Sequence, residues 1–119
     1  FLSFTCNAAG LTLYGEKFTD LLKAAQEQGV SAFGINCCGD FALLARLIRE
    51  MSAVSGIPLI AKPNAGMPEM VGGRSRYSLT PEEFSLRMVE LKNLGASILG
   101  GCCGTDERHI LALKQRLVD

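Results

Sequence analysis

Residues 97–106 read SILGGCCGTD, and residues 31–40 read SAFGINCCGD. Each stretch begins with an apolar run of the kind that forms a buried strand, and it continues through a Cys-Cys pair and a glycine. Each ends on an aspartate that can cap a helix. The two stretches therefore look like two copies of one strand–loop–helix unit, each with two thiols directly after its strand.

The same alternation of strand and helix runs through the rest of the chain. Strands are predicted at residues 2–5, 32–35 and 57–61, with a fourth ending at residues 98–99. Helical spacing of apolar residues follows each strand, and Thr80, Pro81 and Glu83 begin the third helix as an N-cap, N1 proline and capping-box glutamate. The last helix is predicted to begin after Thr105 or Asp106 and to carry an apolar stripe of Ile110, Leu113 and Leu117.

Only one long segment lacks a predicted element. Residues 62–79 are expected to form a loop, in which Gly72 and Gly73 are flexible and Arg74 and Arg76 are solvated.

Four consecutive βα units with apolar strands predict an α/β fold with a parallel sheet. The repeated unit recurs two βα units apart, as in a (βα)8 TIM barrel, of which four units make one half. Because a half barrel leaves two parallel edges open, we expect a preceding half to complete it. The whole chain, residues 1–119, is interpreted as one partial domain.

The composition of the chain argues against several classes of function. The 119 residues carry 12 basic and 12 acidic side chains, so charge offers no argument for binding nucleic acid or an anionic membrane. No apolar run approaches the roughly 20 residues that span a bilayer, and the first residues lack the pattern of a signal peptide. We therefore expect a cytoplasmic protein, in which the grouped thiols among the five cysteines are metal ligands or catalytic groups rather than bridges.

The candidate site lies where the strands end. Cys37 and Cys38 follow the second strand, Cys102 and Cys103 follow the fourth, and Asn64 follows the strand between them. In a parallel βα array these loops emerge on one face, and curvature of a barrel brings them around a common centre. Three thiolates with one exchangeable position form a catalytic zinc site, whereas four protein ligands close a structural one.

Three motifs carry a family resemblance over essentially the whole chain: GINC at residues 34–37, KPNAG at residues 62–66 with Pro68 after it, and GGCCGT at residues 100–105. They resemble the homocysteine S-methyltransferase domain, of which this chain would be the C-terminal half of the barrel, strands five to eight. The PNAG motif followed by proline resembles cobalamin-dependent methionine synthase modules more than the betaine-using branch of the family.

The resemblance implies the ligands of a zinc ion and the substrate. It assigns zinc to Cys37, Cys102 and Cys103, and it places homocysteine beside Asn36 and Asn64. Cys38 is a departure, because the family does not require a thiol at that position; it is a bystander or a competitor for the metal.

The implied reaction is the transfer of a methyl group to the thiol of homocysteine, which forms methionine, with the homocysteine thiolate as the fourth zinc ligand. The methyl donor stays open among methylcobalamin or methyltetrahydrofolate on another domain, S-methylmethionine and related donors, and the PNAG resemblance favours methylcobalamin. We further expect the Asn64 amide oxygen near the open position of the metal, which it yields to substrate. The alternative is a non-catalytic half barrel that zinc only staples together and that needs a complementing half.

Simpler interpretations apply to several residues. Cys6 and Cys38 fit small buried hydrophobic side chains, and the only histidine, His109, fits a solvated or capping position in the last helix better than a metal site. Asn64 is equally suited to a turn after Pro63.

Overall fold

The computed structural model describes residues 1–118. The elements, in chain order, are β1 (Leu2–Phe4), α1 (Phe18–Glu27), β2 (Phe33–Asn36), α2 (Phe41–Ser52), β3 (Leu59–Lys62), β4 (Pro68–Val71), β5 (Arg74–Tyr77), α3 (Pro81–Leu94), β6 (Ala96–Leu99) and α4 (Glu107–Val118). None of these helices combines the length and the apolar character that crossing a membrane requires.

The main sheet has four parallel strands in the order β1-β2-β3-β6. Each strand is followed by a helix before the chain returns to the sheet, so the predicted βα units are confirmed. The second and third strands begin one and two residues later than the apolar runs predict, and Ala32 and Pro58 accept backbone hydrogen bonds just before the paired segments.

Local signals begin the helices as expected. The Asp40 carboxylate accepts from the Leu43 N–H at 3.1 Å at the start of α2. Thr80 and Glu83 form a reciprocal capping box at the start of α3. Of the two candidates for α4, Asp106 is the cap, because its carboxylate accepts from the Arg108 N–H, which leaves the Thr105 hydroxyl to donate to the Cys102 carbonyl.

The core lies between the helices and the sheet. Its largest fully buried side chains include Phe18, Phe33, Phe84 and Met88. The predicted stripe of α4 is correct only at Leu113, because Ile110 is 44% exposed and Leu117 is 37% exposed. The helix instead turns His109 and Ala112 inward, since the packing of α4 against α3 sets its rotation and periodicity alone does not.

The prediction of a loop at residues 62–79 is wrong in part. Residues 68–77 form an antiparallel hairpin, in which β4 pairs with β5 and Pro68 faces Tyr77. Gly72 and Gly73 both have positive φ, 59° and 77°, and they form the tight turn that a two-residue hairpin requires. The two strands show no alternation of polar and apolar residues, because every strand residue before Tyr77 is exposed. The sequence therefore lacks the pattern by which a strand is usually predicted. Arg74 and Arg76 are exposed, as expected.

Candidate metal centre

Backbone hydrogen bonds continue beyond the strands and bring the two cysteine loops to opposite sides of residues 62–65. On one side, the Cys37 N–H donates to the Lys62 carbonyl and the Asn64 N–H to the Cys38 carbonyl. On the other side, the Cys102 N–H donates to the Pro63 carbonyl, and the Ala65 N–H donates to the carbonyl of Cys103. The segment after β3 is thus a template to which both loops are bonded.

The loops also converge above this template. Strands two positions apart in a sheet lie about 9.5 Å apart, and β3 separates β2 from β6. The Cα atoms of Cys37 and Cys102 are nevertheless only 5.5 Å apart. The predicted meeting of these thiols at one centre is therefore present in the structure.

Three sulfurs form the cluster. The Sγ atoms of Cys37, Cys102 and Cys103 all lie within 4.8 Å of one another, and Cys37 Sγ is 4.0 Å from Cys103 Sγ. The Sγ atoms of Cys37 and Cys102 are in bonding contact, which the sequence analysis did not expect; their Cα separation falls in the range of a disulfide.

The donor set fits a zinc ion. Tetrahedral bonds of about 2.3 Å place neighbouring sulfurs about 3.8 Å apart, close to the 4.0 Å between Cys37 and Cys103. Cys37 and Cys102 can bind the ion only as separate thiolates, so a bond between their sulfurs must be reduced before they reach the same spacing. Cys103 is exposed and the other two thiols are half-buried, so the cluster can be reached from solvent.

The backbone of Cys37 is unusual. Among the residues that the structure describes, it alone has a positive φ, 55°, without being glycine. Such a conformation costs of order 1 kcal/mol and is found where surrounding contacts hold it, often at functional sites. Here it turns the chain abruptly after β2.

Comparison with known proteins agrees with this geometry. The profile of the homocysteine S-methyltransferase family matches residues 1–117. The chain belongs to this family. It is 32% identical over 111 residues to the methionine synthases of Mycobacterium leprae (strain TN) and Mycobacterium tuberculosis (strain ATCC 25618 / H37Rv), a match that covers 92% of this chain but 9% of either relative.

Solved structures show the fold. The homocysteine methyltransferase MmuM from Escherichia coli superposes with a TM-score of 0.75 in its metallated form and 0.73 in its apo form, at 24% identity. The match covers 96% of this chain, and it covers 34% and 37% of those chains. The four βα units are those of part of a TIM barrel, as predicted.

Asn64 lies between the two cysteine pairs of this family member. Its Oδ1 accepts from the Cys103 N–H at 3.0 Å, and its own N–H donates to the Cys38 carbonyl at 2.8 Å. It therefore does more than form a turn, because it ties the two loops together. Asn36 is half-buried at the end of β2, directly before Cys37.

Tyr77 is a neighbour of the cluster that the sequence analysis missed. The hairpin returns at Tyr77, whose ring lies where a side chain on Gly104 would have to be. Partial burial, together with the nearby Cys103 thiol, raises the pKa of Tyr77. No signal in the sequence could reveal this contact, because it depends on the path of the hairpin.

Cys38 does not join the cluster. It is buried, as expected, and its Sγ lies 3.5 Å from that of Cys6, which is only half-buried. The Cys6 thiol donates to Cys38, and this hydrogen bond lowers the pKa of Cys38 to about 7 and raises that of Cys6. Of the two interpretations of Cys38, the geometry favours the bystander over the competitor for metal.

His109 is a capping residue and is not solvated. Its ring is buried against Phe84, and its Nδ1 accepts from the Asp106 N–H at 3.2 Å while its Nε2 faces the Leu79 carbonyl at 3.2 Å. The imidazole thus accepts from the backbone N–H of the N-cap residue, as glutamate does in a capping box. The Arg108 guanidinium, which donates to the Asp106 carboxylate, holds the pKa of that carboxyl well below its usual range.

Proposed function

We propose that this chain is the zinc-binding half of a homocysteine S-methyltransferase, strands five to eight of the barrel, and that the complete enzyme methylates the thiol of homocysteine to form methionine. The observation that carries the proposal is the meeting of three thiols from two motifs that are 65 residues apart in sequence. The methionine synthase relatives support the reaction, and their much greater length leaves room for the remaining half and for further domains.

Cys37, Cys102 and Cys103 would hold the zinc. Three thiolates supply the charge and softness that zinc prefers, and they leave one position for an exchangeable ligand. When bound, zinc would keep the thiol of homocysteine deprotonated at neutral pH, where a free thiol with a pKa of about 8.5 is mostly protonated. The exposure of Cys103 gives this position access from solvent.

The other residues position the ligands and the substrate. Asn64 holds the Cys103 loop through its Oδ1, and the same oxygen is proposed to lie near the open position of the metal and to yield it to the substrate. Asn36 precedes the sharp turn at Cys37, and it is proposed to contact the amino-acid part of homocysteine. The methyl donor would come from another domain, as methylcobalamin or methyltetrahydrofolate.

The test is a measurement of zinc and its sulfur ligands in the protein that carries the complete barrel. We expect one zinc per chain with three sulfur ligands by X-ray absorption, and four after homocysteine is added. Cys102→Ser should lose the zinc, whereas Cys38→Ser is the matched control and should retain it, because Cys38 lies outside the cluster.

Two results would contradict the proposal. Four sulfur ligands before homocysteine is added would indicate a closed, structural site. Equal zinc loss in the two serine variants would mean that the cluster of Cys37, Cys102 and Cys103 is not the ligand set. Methionine formation from homocysteine and a methyl donor, lost in Cys102→Ser only, distinguishes the enzyme from a zinc-stapled structural unit.

A further inference from the structure

A second pair of thiols lies beside the zinc cluster and takes no part in it. Cys6 follows β1 and Cys38 follows β2, two neighbouring parallel strands. Their sulfurs are 3.5 Å apart although the residues are 32 apart in sequence. Cys38 is 5% exposed, and Cys6 is half-buried and packs against the same core.

We propose that Cys6 and Cys38 form a redox-active dithiol site that closes to a disulfide when the protein meets a hydroperoxide. The inference is independent of the proposed methyl transfer, because neither thiol is among the three that would hold zinc.

The geometry allows closure with little movement. A disulfide needs the sulfurs to approach by about 1.5 Å from their present contact to the S–S bond length of about 2.05 Å. The strands that carry them are already paired in register, with Phe4 opposite Ile35. The hydroxyl of Thr5 donates to the Cys37 carbonyl at 3.4 Å, so the ends of the two strands are linked next to the thiols.

The chemistry balances with hydroperoxide as the oxidant. The sulfur of one of the two residues takes the terminal oxygen of the hydroperoxide, which gives a sulfenic acid and releases water or an alcohol. The sulfur of the other residue then attacks the sulfenic sulfur, the S–S bond forms and the S–O bond breaks, and the hydroxyl leaves as water with the proton of the second thiol. Two thiols are oxidised by two electrons in total, and the O–O bond is reduced.

The zinc thiolates are expected to react more slowly. In the loaded protein the metal would engage their lone pairs, whereas within residues 1–118 the hydrogen-bond partners of the Cys6 and Cys38 thiols are each other and the Asp40 carbonyl. Oxidation of the loaded protein should therefore begin at the dithiol site.

The experiment is peptide mapping of the zinc-loaded protein after treatment with hydrogen peroxide. Trypsin places Cys6 in peptide 1–17, Cys38 in peptide 24–46 and the GGCC motif in peptide 93–108. We expect a disulfide between peptides 1–17 and 24–46, which fragmentation assigns to Cys38, and a loss of two free thiols per chain that a reductant restores. The zinc content should not change.

Cys6→Ser is the matched variant and should lose no thiol pair under the same treatment. A link between peptides 24–46 and 93–108, a link through Cys37, or Cys6 oxidised further without a link would each overturn the proposal. A protein that binds no zinc would contradict the proposed function instead, and the map of peptide 1–17 would still decide the present proposal.

Discussion

The hydrogen bond between Asn64 and the Cys103 loop gives the sharpest test of how the site is held. Asn64→Ala removes the Oδ1 that accepts from the Cys103 N–H at 3.0 Å. The backbone hydrogen bond from the Asn64 N–H to the Cys38 carbonyl does not involve the side chain, so it remains. The substitution thus releases the second cysteine loop and leaves the first one bonded.

The expected loss of binding energy depends on how exposed the Cys103 N–H is. A typical hydrogen bond makes a net contribution of about 0.5–1.5 kcal/mol to stability, and a buried donor left without a partner costs more. Because Cys103 is exposed, water can reach its N–H, and the loss should be about 1 kcal/mol. If this energy holds the zinc ligands in place, the zinc affinity falls about fivefold.

The assay is competition for zinc with a chromophoric chelator at fixed pH. Asn93, an exposed asparagine on α3, gives a control of the same residue type, and Asn93→Ala should leave the affinity unchanged. An Asn64→Ala protein with the affinity of the wild type would refute the reasoning that this side chain positions Cys103. An equal loss in both variants would show that the effect is not local to the site.

Three further substitutions test other parts of the fold. Thr80→Ala should lower the free energy of unfolding in urea by about 1 kcal/mol, because it removes the N-cap of α3. Gly104→Ala should destabilise the protein more than Gly15→Ala and should also weaken zinc binding. Both glycines have φ near +80°, so the backbone strain is the same in the two variants. Only at Gly104 does the new Cβ meet the ring of Tyr77, whereas Gly15 faces open space. Asp106→Asn should reduce the loss of stability on acidification, because Arg108 lowers the pKa of Asp106 in the folded protein. The contribution of Asp106 to stability is present above about pH 4. It is lost as the pH falls towards the lowered folded-state pKa.

Each of these has a clear contrary result. An unchanged urea midpoint would mean that the capping box of Thr80 contributes nothing to stability. Equal effects at Gly104 and Gly15 would mean that left-handed backbone strain alone is felt and that the tyrosine contact is absent. A urea stability profile of Asp106→Asn that falls below pH 4 as steeply as that of the wild type would exclude the carboxylate as the group that titrates.

Helix starts and the order of strands could be predicted because the relevant signals are local. Asp40, Thr80 and Asp106 lie within three residues of the backbone groups that they cap, so the spacing along the chain already contains the interaction. The hairpin at residues 68–77 escaped prediction for the opposite reason, since it packs no buried face and its strands leave no apolar alternation.

The candidate metal centre likewise has one part that could be predicted from the sequence and one part that could not. The order of strands alone places both cysteine pairs and Asn64 at one edge of the sheet, because the loops that follow parallel strands emerge together. The selection among the four thiols came from the family resemblance and could not be predicted from spacing, because Cys37 and Cys38 are adjacent in sequence. The left-handed turn at Cys37 sends one sulfur to the cluster and the other to Cys6.

The α/β class, the helix caps and the edge of the sheet that carries the candidate metal centre follow from patterns among residues a few positions apart. Which sulfurs meet depends on long-range contacts. The contacts of Cys37 with Cys102 and of Cys38 with Cys6 join residues 65 and 32 apart. Both contacts arise only when the strands have paired, and that of Cys37 with Cys102 also requires the two loops to curve over the end of β3. No local pattern encodes that curvature.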